Sequence, residues 1–236
     1  MNLTKYEHIF NGKKYVLYPG KNPKYLIITF SCVGANYNRV KQFWNNESWN
    51  EYSYLFLCEP ESTRVLSAQS IENQISTPWY TDQCDLVDHV MKDFERKNVI
   101  TLGYSLGSFA ALYHGVRAKA GIVLYTAPAS PGFSYLHEFD GLKKYTELKS
   151  MLVEATEVPD LYIEGSLAIP DRHLMEEIIS IFLTKKSKVV FETANHKNHT
   201  SVSLGDRSHV YRTIDYFLSW RNEPINYDWL NNPVER

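Results

Sequence analysis

The chain has 236 residues, of which 44% are hydrophobic and 22% are charged. A chain of this length and composition is expected to form one α/β domain, spanning residues 1–236, with a sizeable core. The formal net charge of −2 and the lack of a Lys/Arg stripe argue against nucleic acid as a partner. No apolar run is long enough to cross a bilayer, and the first residues lack the apolar core of a secretion signal.

The chain contains three cysteines, Cys32, Cys58 and Cys84, which lie far apart in the sequence. An odd number of widely spaced cysteines indicates reduced thiols rather than a disulfide framework, which predicts a cytoplasmic protein. The cysteines and histidines show no spacing typical of zinc ligands. The sequence therefore predicts neither a metal nor an organic cofactor.

The hydrophobic pattern predicts a sheet whose strands alternate with helices over most of the chain. Apolar and β-branched runs predict strands at residues 6–10, 14–18, 24–30, 54–58, 99–102, 121–126, 160–165 and 187–193. Apolar residues at three- and four-residue spacing predict helices near residues 40–44, 82–96, 108–116, 142–152, 175–183 and 211–220. Asn11-Gly12 predicts a tight hairpin turn between the first two strands. The alternation that follows predicts a mostly parallel, doubly wound sheet flanked by helices.

Residues 99–112 carry the pattern on which the functional interpretation depends. A short β-branched run is followed by Gly-Tyr-Ser-Leu-Gly at 103–107 and then by an Ala-rich helix start. This order is strand, sharp turn and helix, with Ser105 at the turn. The flanking glycines allow strand and helix to approach closely, and the serine hydroxyl then lies above a helix N-terminus. A serine in this position is suited to attack a carbonyl group, because free N–H groups favour the developing negative charge.

This Gly-x-Ser-x-Gly stretch, in its strand–turn–helix context, resembles the nucleophile elbow of the α/β-hydrolase superfamily. The resemblance implies an α/β-hydrolase fold with Ser105 as the nucleophile. It also implies an oxyanion hole made by two backbone N–H groups, one of them from Leu106 directly after the nucleophile. The second is expected in the loop after the strand at 24–30, and by position it belongs to Cys32. Many superfamily members have His-Gly in that loop, whereas this chain has Phe30-Ser31.

The resemblance further implies a carboxylate that orients the catalytic histidine, located after the strand at 160–165. Asp171 is the first candidate for this acid, although it arrives later after the strand than is usual in the superfamily. Glu164, at the end of the strand, is the second candidate. Each residue also fits a simpler interpretation, since Asp171 is placed to cap the following helix and Glu164 to be an ordinary edge carboxylate.

The superfamily places its histidine base in the loop after the final strand, and two histidines compete for that role. His199 is the first candidate, because it leaves a loop of ordinary length before the closing helix. His196 is the second, because it comes soonest after the strand. His209 lies nearer the closing helix and is interpreted as a packing or surface residue. The order of serine, acid and histidine is the order that the superfamily uses.

Residues 128–157 interrupt the sheet pattern and resemble a short form of the lid that α/β-hydrolases insert at this point. A lid is expected to shape the choice of substrate and to move. The alternative interpretation is a structural loop with one packing helix.

The resemblance implies a serine hydrolase, either an esterase or a thioesterase, acting on a small-molecule or glycan-linked acyl substrate through an acyl-enzyme at Ser105. Two other functions stay open. The loop at Phe30-Ser31 and the compact size also resemble hydrolase-like proteins of bacterial surface-polysaccharide systems, which implies an acyltransferase or an acyl-transfer accessory protein. The third function is a non-catalytic binding module with the hydrolase fold. The sequence does not predict an oligomeric state.

Overall fold

The structure is a computed structural model that describes residues 3–30, 50–57, 83–128, 141–166, 172–185, 187–194 and 207–222. The strands are β1 (Glu7–Phe10), β2 (Lys13–Tyr18), β3 (Leu26–Phe30), β4 (Ser53–Leu57), β5 (Val99–Ser105), β6 (Ile122–Pro128), β7 (Asp160–Ser166) and β8 (Val189–Ala194). The α-helices described are α1 (Cys84–Met91), α2 (Leu106–Arg117), α3 (Gly141–Glu154), α4 (Arg172–Thr184) and α5 (Arg207–Asn222). Short 3-10 helices are formed by Leu3–Tyr6 and Arg96–Asn98.

The eight strands form one sheet in the order β1-β2-β4-β3-β5-β6-β7-β8. Strands β3 to β8 run parallel to one another, whereas β1 and β2 form an antiparallel hairpin whose second strand pairs with β4 in the antiparallel sense. Asn11 and Gly12 connect the hairpin with φ angles of 48° and 75°. These positive angles are those of the tight turns that match the twist of a hairpin, so the predicted turn is confirmed.

Helices cover both faces of the sheet, because the parallel strands are apolar on both sides. On one face, α5 buries Val210, Tyr211, Ile214 and Phe217, which recur at three- and four-residue spacing and are each at most 2% exposed. The other face is covered by α1, α2, α3 and α4. The architecture is therefore the mostly parallel, doubly wound sheet that the sequence predicts.

Two predicted helices, those over 82–96 and 211–220, differ most from the observed ones at their ends. The helix predicted over 82–96 ends at Met91, and the chain then turns through a 3-10 helix into β5. Arg96 holds this turn by donating from Nη1 to the carbonyl oxygen of Ala118 at 2.7 Å. The helix predicted over 211–220 begins earlier, at Arg207, so that His209 lies within it. The helix predicted near 40–44 lies outside the described residues.

Helix α3 occupies the second half of the predicted lid at 128–157. It buries Tyr145, Leu148 and Leu152 in a cluster with residues of α2 and α4. This helix is therefore part of the layer that covers the sheet. Residues 129–140 lie outside the described residues, and the lid stays a prediction.

Arg221, near the end of α5, joins the amino ends of three strands. Its guanidinium donates to the main-chain carbonyls of Lys97, just before β5, and Gly121, just before β6. It also donates from Nε to Oδ2 of Asp160, the first residue of β7, at 3.0 Å. Because both side chains are mostly buried, this contact fixes the position of α5 against the sheet.

Candidate active site

The junction of β5 and α2 places Ser105 at the end of a strand and Leu106 at the start of a helix, with no residue between them. Gly103 explains how so sharp a turn is possible. A Cβ atom at this position would lie 1.9 Å from the carbonyl oxygen of Gly107 and 2.7 Å from the amide nitrogen of Ser108. Strand and helix backbones are thus in direct contact, and only glycine fits between them. The predicted order of strand, sharp turn and helix is confirmed.

Two buried threonine hydroxyls fix this junction. Thr101 donates from Oγ1 to the carbonyl oxygen of Ala111 at 2.8 Å, which ties β5 to α2. Thr126 donates from Oγ1 to the carbonyl oxygen of Gly103 at 2.9 Å, which ties β6 to β5. Both threonines are at most 1% exposed, so their hydrogen bonds do not compete with bulk water. The strand that ends at Ser105 is therefore held from two sides.

The two donors predicted for the oxyanion hole are Leu106 and Cys32, and the structure describes only the first. Phe30, the last residue of β3, pairs with Gly103 of β5. The segment that follows Phe30 and includes Cys32 therefore starts beside the junction, while Cys32 itself lies outside the described residues. Leu106 is the first residue of α2, where main-chain N–H groups have no acceptor within the helix. The role of Leu106 as an oxyanion-hole donor stays a prediction.

Glu164 is the only predicted acid that falls within the described residues, since Asp171 lies outside them. Glu164 is fully buried, and its neighbours in the sheet are Thr126 of β6 and Glu192 of β8. Thr126 in turn pairs with Tyr104, the residue before Ser105. Two strand spacings separate Tyr104 from Glu164, so their Cα atoms are about 10 Å apart. A carboxylate without exposure to water is unusual and requires polar partners.

Both predicted bases, His196 and His199, lie in the segment 195–206, which is outside the described residues. The structure describes the two ends of this segment, which are Ala194 at the end of β8 and Arg207 at the start of α5. Because β8 lies next to β7, the segment begins at the same edge of the sheet as Glu164.

A cluster of three polar side chains, formed by Tyr162, Glu192 and His209, links these two ends. The Tyr162 hydroxyl lies 2.7 Å from Oε2 of Glu192 and 2.8 Å from Nε2 of His209, and these last two atoms are 2.9 Å apart. Burial, the hydrogen bond to Glu192 and the nearby charges of Glu164 and Glu192 raise the pKa of Tyr162 well above its usual value. The Tyr162 hydroxyl is therefore a neutral hydrogen-bonding group at ordinary pH.

The prediction for His209 is incomplete, because this residue is a member of a hydrogen-bonded cluster and not simply a packing or surface residue. Its partners are 17 and 47 positions away in the sequence, so no local pattern reveals them. The available signal is the alternation of β7 and β8, which places Tyr162, Glu164 and Glu192 on the face that α5 covers.

Within the described part of the chain, no group of three or more His, Cys, Asp or Glu side chains is arranged to hold a metal ion. In the same residues, no helix combines the length and the apolar character needed to cross a membrane.

The chain was compared with known proteins by sequence and by structure. Neither a protein-family model nor a curated protein sequence matches it. A capsule O-acetyltransferase of Neisseria meningitidis serogroup A has a TM-score of 0.59 at 18% identity, and the match covers 91% of this chain and 95% of that one. A hyperthermophilic esterase from the archaeon Pyrobaculum calidifontis has a TM-score of 0.60 at 11% identity, with coverages of 89% and 82%.

An S-formylglutathione hydrolase (FrmB) from Staphylococcus aureus has a TM-score of 0.56 at 12% identity, with coverages of 87% and 90%. At such identities the likeness concerns the fold. The strand order, the parallel sense of the sheet and the helices on both faces agree with it. The chain has the α/β-hydrolase fold.

Proposed function

We propose that the protein is a serine hydrolase that cleaves an acyl ester or thioester through an acyl-enzyme at Ser105. The observation that carries this proposal is the direct passage from β5 into α2 at Ser105, at the carboxyl edge of a parallel sheet. A serine at such a junction stands at a helix N-terminus, where free N–H groups favour developing negative charge. The likeness of the fold to esterases supports the same class of reaction.

In the proposed reaction, a histidine base accepts the Ser105 proton as the serine oxygen attacks the acyl carbonyl carbon. The backbone N–H groups of Leu106 and Cys32 donate to the resulting oxyanion, an effect of about 3–4 kcal/mol per donor. The bond to the leaving alcohol or thiol then breaks, and the protonated histidine gives its proton to that group. Water attacks the acyl-enzyme with the same base as proton acceptor, which releases the carboxylic acid and regenerates Ser105.

His199 is the proposed base and Asp171 the proposed acid, with His196 and Glu164 as their alternatives. The acid fixes the tautomer of the histidine and stabilises its positive charge. The position of Glu164 supports its candidacy, because it lies two strand spacings from Tyr104, the residue before Ser105. Residues 128–157 are the proposed lid that shapes the choice of substrate, and α3 is the part of this range that packs against α2 and α4.

An acyltransferase is the second candidate function, in which a sugar hydroxyl replaces water as the acceptor. The likeness to the capsule O-acetyltransferase favours it, because that match covers more than nine-tenths of both chains, 91% and 95%. The two functions share the acyl-enzyme at Ser105 and differ only in the group that attacks it. Analysis of the products, with and without glycan acceptors, separates them: transfer to a glycan identifies the acyltransferase, and release of free acid alone identifies the hydrolase.

The experiment that tests the proposal is turnover of short and long p-nitrophenyl esters and acyl thioesters by the native chain and by Ser105→Ala. The variant is expected to lose at least about 1,000-fold in kcat, because the acyl-enzyme cannot form. Far-UV circular dichroism should be unchanged. A fluorophosphonate probe should label Ser105 in the native chain, as mapped by mass spectrometry, and it should label Ser180→Ala equally, since Ser180 is an exposed serine of α4.

Three results contradict parts of the proposal. Undiminished turnover by Ser105→Ala excludes the acyl-enzyme. A folded chain that binds acyl ligands without labelling at Ser105 supports the non-catalytic binding module. His199→Ala is expected to lower kcat more than His196→Ala does, and the opposite ranking reassigns the base to His196.

A further inference from the structure

The cluster of Tyr162, Glu192 and His209 stands at the two ends of the segment that carries both candidate bases. Glu192 lies two positions before the end of β8, and His209 lies two positions after the start of α5. The segment 195–206, which is outside the described residues, lies in the sequence between these two elements. A direct contact between Glu192 and His209 therefore joins the two elements that flank the segment, with their Oε2 and Nε2 atoms 2.9 Å apart.

The hydrogen atoms in the cluster can be assigned from donor and acceptor chemistry. The Tyr162 hydroxyl has one proton, and the Glu192 carboxylate is an acceptor, so Tyr162 donates to Glu192 across 2.7 Å. Both neighbours of His209 Nε2 then present oxygen lone pairs, which requires a hydrogen on Nε2. Three contacts of 2.7, 2.8 and 2.9 Å thus join each of the three side chains to the other two.

The cluster also adjoins the buried carboxylate of the candidate site. Glu164 lies two positions after Tyr162 on the same face of β7, and it is the sheet neighbour of Glu192. Tyr162 is 2% exposed and Glu164 is fully buried. One rigid arrangement thus connects a candidate acid, the end of β8 and the first turn of α5.

We infer that Tyr162, Glu192 and His209 are positioning residues, which act on the base of the proposed reaction by fixing both ends of the segment that carries it. This inference rests on the proposed function. None of the three side chains takes part in bond making. Their contribution is to hold the ends of the segment so that the imidazole stays aligned with Ser105, since a misplacement of about 1 Å can lower a rate by about 100-fold.

The chain offers a matched contact that lacks this relation to the base. Tyr52 donates from its hydroxyl to Oδ1 of Asp215 at 2.5 Å, which also joins the sheet to α5 through a tyrosine and a carboxylate. Asp215 lies six positions beyond His209, or about 9 Å further along the helix. Loss of the Tyr52 hydroxyl therefore weakens the docking of the same helix away from the segment 195–206.

The experiment compares Tyr162→Phe with Tyr52→Phe in the full chain, using p-nitrophenyl acetate as the substrate. Tyr162→Phe is expected to lower kcat by about 10- to 100-fold with KM changed less than about 2-fold, because alignment and not binding is lost. Tyr52→Phe should keep kcat within about 2-fold. Its urea midpoint should nevertheless fall by about as much as that of Tyr162→Phe. Equal effects of the two variants on kcat overturn the inference, and so does an unchanged kcat in Tyr162→Phe.

A second pair of variants decides the matter if Tyr162→Phe unfolds. In His209→Gln, the side-chain amide keeps an N–H donor near the position of Nε2, whereas His209→Ala removes it. The inference requires that His209→Gln retain at least about 10-fold more kcat than His209→Ala, and equal values overturn it. Ser105→Ala separates this result from the proposed function. An active Ser105→Ala refutes the function. If Ser105→Ala is inactive but the variants of Tyr162 and His209 keep the kcat of the native chain, only the positioning role is refuted.

Discussion

Replacing Gly103 by alanine tests the contact between β5 and α2 on which the candidate site depends. The new methyl carbon would lie 1.9 Å from the carbonyl oxygen of Gly107 and 2.3 Å from its carbonyl carbon. Carbon and oxygen atoms that are not bonded normally stay about 3.3 Å apart or more, so roughly 1.4 Å of separation must be created. The opposing atoms belong to the helix backbone, which cannot rotate away as a side chain can.

The cost of Gly103→Ala follows from this overlap. Overpacking typically costs 1–3 kcal/mol when side chains can adjust, so we expect a loss of about 3 kcal/mol or more here. In a domain of this size, that loss lowers Tm by about 6–12 °C. Any protein that remains folded should have its serine displaced and lose about 100-fold in kcat.

Urea unfolding followed by circular dichroism, together with ester turnover, measures both effects of Gly103→Ala. The matched control is Gly12→Ala in the β1–β2 turn, where the backbone has a φ of +75° but no atom lies within 4 Å of the new methyl group. The control should lose only about 1 kcal/mol, from its left-handed backbone, and should keep full activity. The reasoning fails if Gly103→Ala is as stable and as active as Gly12→Ala.

Arg221→Ala should lower the free energy of unfolding by about 2 kcal/mol or more, because two carbonyls and the Asp160 carboxylate lose a donor. A urea unfolding midpoint equal to that of the native chain contradicts this expectation. Burial and carboxylate hydrogen bonds raise the pKa of several tyrosines, Tyr52 among them, above the usual 10.0. The stability that depends on these neutral phenols is complete below pH 10, and it is lost as the pH rises from 10 toward their pKa values in the folded chain. Absorbance at 295 nm should therefore show these phenols ionising only as the chain unfolds. The Lys13 hydrogen bond lowers the pKa of Asp85 below 3.8. Asp85→Asn should therefore lower the free energy of unfolding by at most about 1 kcal/mol at pH 7, because the Lys13–Asp85 pair is exposed. Near pH 2, where the carboxylate is protonated, the same urea assay should show no difference from the native chain.

Most strands are predictable because each one must present apolar side chains to both helical layers. Residues 54–58, for example, are a continuous apolar run and residues 161–163 a shorter one, and the strands found there are Ser53–Leu57 and Asp160–Ser166. Helix ends are less predictable, because they depend on where the chain must turn. The helix predicted to reach residue 96 stops at Met91, so that the chain can enter β5 at Val99.

The candidate site is predictable only where its chemistry is local. Ser105 is proposed from five adjacent residues, of which Gly103 permits the contact between strand and helix. The cluster around Tyr162 does not, because it depends on which strand lies next to β7 and on where α5 begins. The roles of His196 and His199 stay predictions for a related reason: the choice between them depends on their three-dimensional relation to the serine, and both lie outside the described residues.

The contact made by Arg221 has a consequence for biosynthesis. Its acceptor on Lys97 is synthesised 124 positions earlier. A ribosome adds about 5–20 residues per second, so about 6–25 s separate the synthesis of Lys97 from that of Arg221. During that interval the amino ends of β5, β6 and β7 lack their contact with α5, and incompletely packed surface of this kind promotes aggregation. Synonymous codons that slow translation between the two positions prolong the vulnerable period and leave the finished protein unchanged.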